Sequence, residues 1–353
     1  MREILKYKSK EGSIIRISIK IISIVIASII GAGFATGQEI YIFFGQYKLY
    51  GIVGMVLSSF IIAYILYLVL NSIRKYNISN YEEYLKIIFK NNKFLCYVNE
   101  NIITVFLLLS FYIMELGFVN LLYQQYDINK YISMAFVTIL SYIVLRGNVK
   151  SVIKTNIVLI PFLIVAMMYI SITGISKFGI ENIDLRAEPN KMFIVNAILY
   201  SSYNFIMLLP LITSLSERKP TKNAPKIISI ILFFIILVSG LGILLLLNVV
   251  NVQNVEIPII YIANHIGEST VVFSVILVLL AIFTSVICVG YSFLNNISNT
   301  KKKYKRNLFI MSITSFLLVN FSFASTMQMI YTLLGIIGIV QILAIVLANF
   351  RKN

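Results

Sequence analysis

The chain has 353 residues, of which 59% are hydrophobic and 12% charged, and its formal net charge is +16. A soluble domain of this size is about half apolar and about a quarter charged, so these values exclude an ordinary soluble protein and predict a membrane protein with several spans. The apolar blocks are long and uninterrupted. They therefore favour transmembrane helices over the alternating segments of about ten residues that form an outer-membrane barrel.

Ten mostly apolar blocks, each long enough to be read as a span, follow one another along the chain. They cover approximately residues 14–44, 51–73, 94–122, 131–147, 151–173, 191–215, 226–250, 268–297, 307–323 and 326–350. Two short amphipathic pieces interrupt this order: "YEEYLKIIFKNN" lies between the second and third spans, and "IPIIYIANHIG" between the seventh and eighth. We expect an all-α membrane protein with about ten transmembrane helices in a single domain, 1–353.

Most of the 30 basic residues fall on one side of these spans. They lie at both ends of the chain and in the connections after the second, fourth, sixth and eighth spans, where "KKKYKR" at 301–306 is expected to be a loop. The positive-inside rule therefore predicts a multi-pass protein of the cell (plasma) membrane with both termini in the cytoplasm. Contact of these loops with anionic lipid headgroups accounts for the positive charge, so we expect membrane lipid and no nucleic acid as a partner.

The stretch "IASIIGAGFATGQEIYIFF" at 26–44 places Gly31, Gly33 and Gly37 within the first span and follows them with Glu39. Each glycine costs about 1 kcal/mol in a helix interior and tolerates non-helical backbone. Unwound backbone at membrane depth occurs only where it is buried in protein or lines a cavity. The pattern predicts a broken first helix, although glycines can also serve close helix packing.

The sixth span, "NAILYSSYNFIMLLP", contains a polar island of Ser201, Ser202, Tyr203 and Asn204, with Pro210 shortly after it. An ordinary polar patch packed against neighbouring helices is one interpretation. A second broken helix is the other, and we expect it because this is the first span of the second half of the chain.

The two halves of the chain, about 14–173 and 191–350, each contain five predicted spans. An odd number of spans gives two similar halves opposite orientations in the membrane. The two short amphipathic pieces occupy corresponding places in the two halves. We therefore predict a 5+5 inverted repeat with broken first and sixth helices, an arrangement whose matched interruptions mark the central site of a transporter.

The motifs "GAGFATGQE" and "SSYN", together with the five-plus-five plan, resemble the YkvI-like amino-acid permease family. That family belongs to the amino acid–polyamine–organocation superfamily and has a leucine-transporter-type fold. The resemblance covers essentially the whole chain and implies this fold and a small-molecule substrate.

The broken helices are the expected substrate site. The carbonyl end of one half-helix suits a cation or an amine, and the amide end of the other suits a carboxylate, so a zwitterionic amino acid satisfies both. Tyrosines of the sixth span would close over an apolar side chain. The predicted substrate-binding residues are Gly31, Ala32, Gly33, Phe34, Ala35, Thr36, Gly37, Tyr200, Ser201, Ser202, Tyr203 and Asn204.

Ala281, Thr284 and Ser285 in "AIFTSVICVGYS" look like the alanine–threonine–serine set that holds sodium in sodium-coupled members of this fold. By the same resemblance, the carbonyls of Ala27 and Ile30 complete the site. Positions 281, 284 and 285 share one helix face, which is consistent with a Na⁺ site. The alternative is that both hydroxyl groups bond their own backbone.

Proton coupling is the competing expectation. Glu39 and Glu115 lie within spans, where carboxyl groups are functional candidates as proton carriers or gates. Glu39 would also be favoured by the helix dipole alone, and Glu115 could be a rim residue. Lys154 could place its ammonium group where a sodium ion would otherwise sit, or it could extend to the membrane interface.

Together these patterns predict a secondary active transporter of amino acids or related small amine-bearing solutes, working by alternating access and coupled to Na⁺. The alternatives are an H⁺-coupled permease and a non-transporting small-molecule sensor on the same fold. The sequence has no His-rich metal motif, nucleophile elbow or phosphate loop, so we do not expect an enzyme or a cofactor beyond the coupling ion.

Overall fold

A computed structural model describes residues 18–179, 186, 190–214, 222–249, 252, 255 and 257–350. The start of the predicted first span and the basic residues within 1–17 and 351–353 lie outside these residues, as do Arg218 and Lys219. Every regular element in the described part of the chain is helical.

The first span is broken, as its glycines predict. Helix α1 (Ser18–Ile29) is followed by the four-residue α2 (Ala32–Ala35) and by α3 (Gln38–Phe43). A short 3₁₀ turn, Gly45–Tyr47, then leads into the second span.

The remaining helices follow the predicted order of spans and short amphipathic pieces. They are α4 (Lys48–Tyr76), α5 (Tyr81–Ile88), α6 (Lys93–Tyr126), α7 (Lys130–Arg146), α8 (Asn148–Phe178), α9 (Met192–Ser214), α10 (Ala224–Leu247), α11 (Pro258–Ile266), α12 (Glu268–Ile297), α13 (Lys301–Thr314) and α14 (Phe323–Phe350). Within the described ranges, seven are long and apolar enough to cross a membrane: α4, α6, α8, α9, α10, α12 and α14. The protein is therefore a multi-pass membrane protein.

The basic run at 301–306 is not a loop. It forms the first turns of α13, where the Thr300 side chain caps the helix by accepting a hydrogen bond from the Lys303 N–H (3.3 Å). Such a cap satisfies one of the N–H groups that the start of a helix leaves free. The helix continues into a 3₁₀ turn, Ser315–Leu318.

Helix α9 corrects the prediction of a broken sixth span, because it runs without interruption through its polar island. The side chains of Ser201, Ser202 and Asn204 donate hydrogen bonds to the carbonyl oxygens four residues earlier, at 2.7, 2.7 and 3.0 Å. These polar groups are thus satisfied within the helix and need no unwound backbone. Pro210 is also accommodated inside the helix.

The helices pack so that the broken span is enclosed. Helix α2 contacts α12, and α3 contacts α9 and α10, while α9 is flanked by α4 and α14. Large apolar side chains such as Phe60, Val158 and Leu343 are exposed on the outer surfaces. An apolar outer surface is what contact with lipid requires, so the core of the fold is the packed region around the break.

Candidate functional site

The break in the first span has two turning points. Gly31 is extended, with φ −94° and ψ −155°, and Gly37 has a left-handed φ of 79°. Between them the Thr36 hydroxyl donates to the Gly33 carbonyl (3.0 Å) and accepts from the Gln38 N–H (3.4 Å). The last carbonyl groups of α1 and the first N–H groups of α3 have few partners within their own helices, so they remain available to a ligand.

Ser285 of α12 is in direct contact with the backbone of this break. Its hydroxyl oxygen accepts a hydrogen bond from the Ala32 N–H at 3.1 Å. A Cβ atom on Gly31 would overlap that oxygen, so the glycine is what lets α12 approach the backbone. The structure thus brings Ser285 to the first of the predicted break residues.

The other predicted sodium ligands are also buried. Ala27, Ile30, Ala281 and Thr284 are each 0% exposed. The hydroxyl groups of Thr284 and Ser285 donate to the Ala281 carbonyl at 2.8 and 3.1 Å. Because each hydroxyl proton is directed along α12, lone pairs on both oxygens remain for a cation.

Glu39 lies in the first turn of α3 and is buried, with 4% of its surface exposed. The Tyr203 hydroxyl donates a hydrogen bond to its carboxyl group. A Cβ atom on Gly33 would overlap the same carboxyl group, so this side chain folds back into the break. The amide end of the second half-helix is therefore already faced by an acidic side chain of the protein.

Tyr203, the donor to this carboxyl group, belongs to a cluster of five buried aromatic rings, and three of them were not predicted from the sequence: Phe43, Phe44 and Tyr331. Tyr203 stacks between Phe43 (5.5 Å between ring centroids) and Tyr331 (4.7 Å). Tyr200 lies edge-on to Tyr203 at 5.5 Å and to Phe44 at 5.1 Å. The pattern "YIFF" beside the glycine motif was the available signal for the two phenylalanines.

Of the predicted residues of the sixth span, Tyr203 reaches the break through its hydrogen bond to Glu39, and Tyr200 packs on Phe43 and Phe44 at the end of α3. Ser201 lies 3.3 Å from a carbonyl oxygen of α4, and the backbone of Ser202 is so close to Gly338 of α14 that a Cβ atom there would collide with it. These two serines serve helix packing. The buried Tyr200 hydroxyl, by contrast, has no hydrogen-bond partner among the described residues, so it can serve a ligand.

The short helix α11 covers the other side of the break. The Ile259 N–H donates to the Thr36 carbonyl at 3.1 Å, and a Cβ atom on Gly37 would lie 3.1 Å from the Ile259 side chain. Helix α11 is thus attached to the unwound segment by its backbone as well as by packing.

The last two predicted candidates lie elsewhere. Glu115 of α6 is fully buried beside Thr138 and Ser141 of α7, whose hydroxyl oxygens each lie 3.4 Å from its Oε1. Lys154 of α8 is exposed, whereas Ser285 is buried, which contradicts an ammonium group held in the sodium position and agrees with extension toward the interface.

No family model matches the chain. It is 22% identical over 325 residues to an uncharacterized membrane protein, YkvI, of Bacillus subtilis (strain 168), and the match covers 89% of this chain and 91% of that protein.

Two solved transporter structures are similar to the described fold. One is a Na⁺-coupled sialic acid symporter in a substrate-bound, outward-open state, with a TM-score of 0.62, 15% identity, and coverage of 91% of this chain and 78% of that one. The other is Mhp1, a nucleobase-cation-symport-1 family transporter, in a closed conformation with bromovinylhydantoin bound, with a TM-score of 0.61, 10% identity, and coverage of 89% and 74%. The chain therefore shares the fold of these transporters.

Proposed function

We propose that this protein is a secondary active transporter of small amine-bearing solutes, amino acids among them, which works by alternating access and is coupled to an inward Na⁺ gradient. The observation that carries the proposal is the buried Glu39 carboxyl group, which folds into the break of a membrane helix beside Tyr203. A carboxyl group in such a place requires a proton or a cation as its partner. The shared fold with two transporters supports the same assignment.

The amine is the part of the substrate that this site fits best. The Glu39 carboxylate supplies the opposite charge, and the stacked rings of Phe43, Tyr203 and Tyr331 beside it form an apolar surrounding in which that charge is only weakly screened. A substrate carboxylate would need a separate donor away from Glu39. The unpartnered hydroxyl of Tyr200 is such a donor, which keeps amino acids within the proposed class.

Sodium is the proposed coupling ion, held by the Ala27 and Ile30 carbonyls, the Ala281 carbonyl, and the hydroxyl groups of Thr284 and Ser285. All are oxygen donors, as a hard cation prefers, and all lie on buried residues. The Ala32 N–H bond to Ser285 couples this set to the unwound segment. Occupation by Na⁺ would favour the arrangement in which α12 and the break stay together.

The proposed architecture is a ten-helix, 5+5 inverted repeat with halves 14–173 and 191–350. The order of helix lengths supports it, because each half has a short amphipathic helix, a long helix, a shorter helix and a long helix in the same sequence. These are 8, 34, 17 and 31 residues in the first half and 9, 30, 14 and 28 in the second. We further propose a plasma-membrane location with both termini cytoplasmic, on the distribution of basic residues.

An H⁺-coupled permease is the second candidate. In that case the buried Glu39 would bind and release the coupling proton, whereas in the Na⁺-coupled transporter it would pair with the substrate amine. Uptake into proteoliposomes separates the two. The assay measures accumulation under an inward Na⁺ gradient, an inward H⁺ gradient, or neither. Three labelled compounds are compared: an amino acid, the amine with the same side chain, and the corresponding acid without the amine.

The proposal predicts Na⁺-driven accumulation of the amino acid or the amine and none of the acid. Thr284→Ala/Ser285→Ala should abolish it. Glu39→Gln should reduce it at least 100-fold, since breaking a buried ion pair costs about 3–5 kcal/mol. Ser59→Ala is the matched control, because this buried serine also bonds its own helix, at 2.8 Å from the Met55 carbonyl.

Two results would contradict the proposal. Proton-driven accumulation that survives the Thr284/Ser285 double variant and is lost in Glu39→Gln would assign the coupling to H⁺. Binding of an amine with no flux under any gradient would make the protein a sensor on this fold and not a transporter.

A further inference from the structure

Glu115 forms a second buried polar site, built from three elements that do not belong to the broken span. Its carboxyl group on α6 lies against Thr138 and Ser141 of α7, and the Ser315 hydroxyl at the end of α13 lies beside it. Glu115, Ser141 and Ser315 are each 0% exposed and Thr138 is 6% exposed. Within the described residues, Glu115 forms no ion pair.

The oxygen atoms of this site are too far apart for ordinary hydrogen bonds. The Thr138 and Ser141 hydroxyl oxygens each lie 3.4 Å from Glu115 Oε1. Hydrogen bonds between oxygen atoms are about 2.5–3.0 Å long. By contrast, two oxygen ligands that each lie about 2.4 Å from a bound cation are about 3.4 Å apart when the oxygen–cation–oxygen angle is a right angle.

Two of the three hydroxyl groups have backbone carbonyl acceptors of their own. Ser141 Oγ has a shorter bond to the Thr138 carbonyl (3.0 Å), and Ser315 Oγ donates to the Met311 carbonyl (3.2 Å). A hydroxyl group has one proton and two lone pairs, so both oxygens present lone pairs to Glu115. The carboxyl oxygen Oε2 has no hydrogen-bond partner among the described residues. Several oxygen atoms thus converge on Glu115, and the donors among them, Thr138 and Ser141, are held at a long 3.4 Å from its Oε1.

The local electrostatics also favour a cation. Ser315 is the C-cap of α13, and the C-terminal end of a helix carries partial negative charge. The neighbouring Tyr112 is hydrogen-bonded to Thr314 at 2.5 Å and brings no positive charge. A single carboxylate balances one positive charge. No group of three or more His, Cys, Asp or Glu residues that could hold a metal occurs in the described part of the chain, which disfavours a divalent ion.

We propose that Glu115, Thr138, Ser141 and Ser315 form a binding site for a monovalent cation, Na⁺, separate from the Ser285 site. Such an ion bridges α6, α7 and the end of α13. The adjacent residue, Met114, accepts a hydrogen bond from the Tyr331 hydroxyl (3.9 Å), and Tyr331 stacks on Tyr203 at the central site. Helix α6 therefore contacts both sites through consecutive residues.

The test is direct binding of sodium-22 to the purified full-length protein in detergent, at constant ionic strength with choline as the replacement cation. It requires no transport, so its failure is distinguishable from failure of the proposed function. Glu115→Gln should lose one bound Na⁺ per chain, in the wild-type background and in Ser285→Ala alike. Glu100→Gln is the matched control on the same helix and should bind as the wild type does.

Ser141→Ala keeps the Glu115 carboxyl group and removes one proposed Na⁺ ligand, so it should weaken Na⁺ binding about tenfold. It serves as the second variant if Glu115→Gln does not fold. Gel filtration verifies the fold of each variant. Unchanged Na⁺ stoichiometry and affinity in folded Glu115→Gln, or in Ser141→Ala, would overturn the proposal. It would also be overturned if thermal stability responded through Glu115 to pH but not to Na⁺, since the carboxyl group would then bind only a proton.

Discussion

Replacing Gly31 by alanine tests the close approach of α12 to the broken span. The added Cβ atom would overlap Ser285 Oγ and would lie 3.3 Å from Ser285 Cβ and 3.8 Å from the Ala27 carbonyl oxygen. Relieving the overlap requires the hydroxyl group to move away from the Ala32 N–H, which it meets at 3.1 Å. The substitution should therefore act through one named atom.

The magnitude follows from two contributions. Overpacking by one methyl group costs about 1–3 kcal/mol, and the lost hydrogen bond about 1 kcal/mol. Gly31→Ala should thus destabilise the protein by about 2–4 kcal/mol. In the Ser285→Ala background the colliding oxygen is absent and only the 3.3 Å contact with Cβ remains, which a small shift can accommodate. The two substitutions should be non-additive, with a coupling of about 1–2 kcal/mol.

The assay is the apparent Tm of the four variants of this cycle in detergent, measured at one heating rate. Gly31→Ala should lower the Tm by several degrees, and adding Ser285→Ala should recover part of the loss. If Ser285→Ala lowers the Tm of Gly31→Ala by as much as it lowers that of the wild type, the two residues are not in contact and the proposed coupling of the sodium ligands to the break is refuted.

Three further predictions concern single groups. Tyr203→Phe keeps the stacked ring but removes the donor to Glu39. It should weaken amine binding about 10-fold or more, because a hydrogen bond to a charged group contributes about 1.5–3 kcal/mol. An unchanged amine affinity, measured by calorimetry, would refute the role of the Tyr203–Glu39 hydrogen bond in binding. Gly37→Ala should lower the Tm, since its φ of 79° is strained for any residue with a Cβ atom; an unchanged Tm would contradict it. The Ser79 N–H and hydroxyl group lower the pKa of Glu83, so this link stabilises the start of α5 above the unfolded-state pKa and is lost as pH falls through the folded one. Glu83→Gln should therefore speed hydrogen exchange in α5 relative to the wild type at pH 7, but not at a pH at which the wild-type Glu83 is protonated. An equal difference at all pH values would contradict this.

The break in the first span could be predicted from the sequence because its cause is local. Gly31, Gly33 and Gly37 are poor helix formers wherever they occur, and Glu39 within an apolar block marks a site on its own. Helix α1 ends at Ile29 and α3 begins at Gln38, so the interruption, which contains the four-residue α2, coincides with the glycine motif. The short helices α5 and α11 were also visible as amphipathic pieces.

The sixth span could not be predicted in the same way, because the direction of a polar side chain is set by its neighbours. Ser201 and Asn204 bond their own helix, and this leaves α9 intact. The aromatic rings around Glu39 were hidden for another reason. With 24 phenylalanines and 22 tyrosines in the chain, no local signal distinguishes Tyr331, which reaches the site only through the packing of α14 against α9.

The continuous α9 changes how the central site must work. Of the two spans predicted to be broken, the first contributes unwound backbone, whereas α9, described from Met192 to Ser214, contributes side chains. Tyr203 bonds the Glu39 carboxyl group, and the Tyr200 hydroxyl has no hydrogen-bond partner among the described residues. A substrate amine that binds Glu39 must therefore share its carboxyl group with the Tyr203 hydroxyl. Since Tyr203 also stacks on Phe43 of α3 and Tyr331 of α14, any shift of its ring on binding is transmitted to both helices. If the protein transports as proposed, substrate binding would be linked in this way to the relative positions of the break and α14.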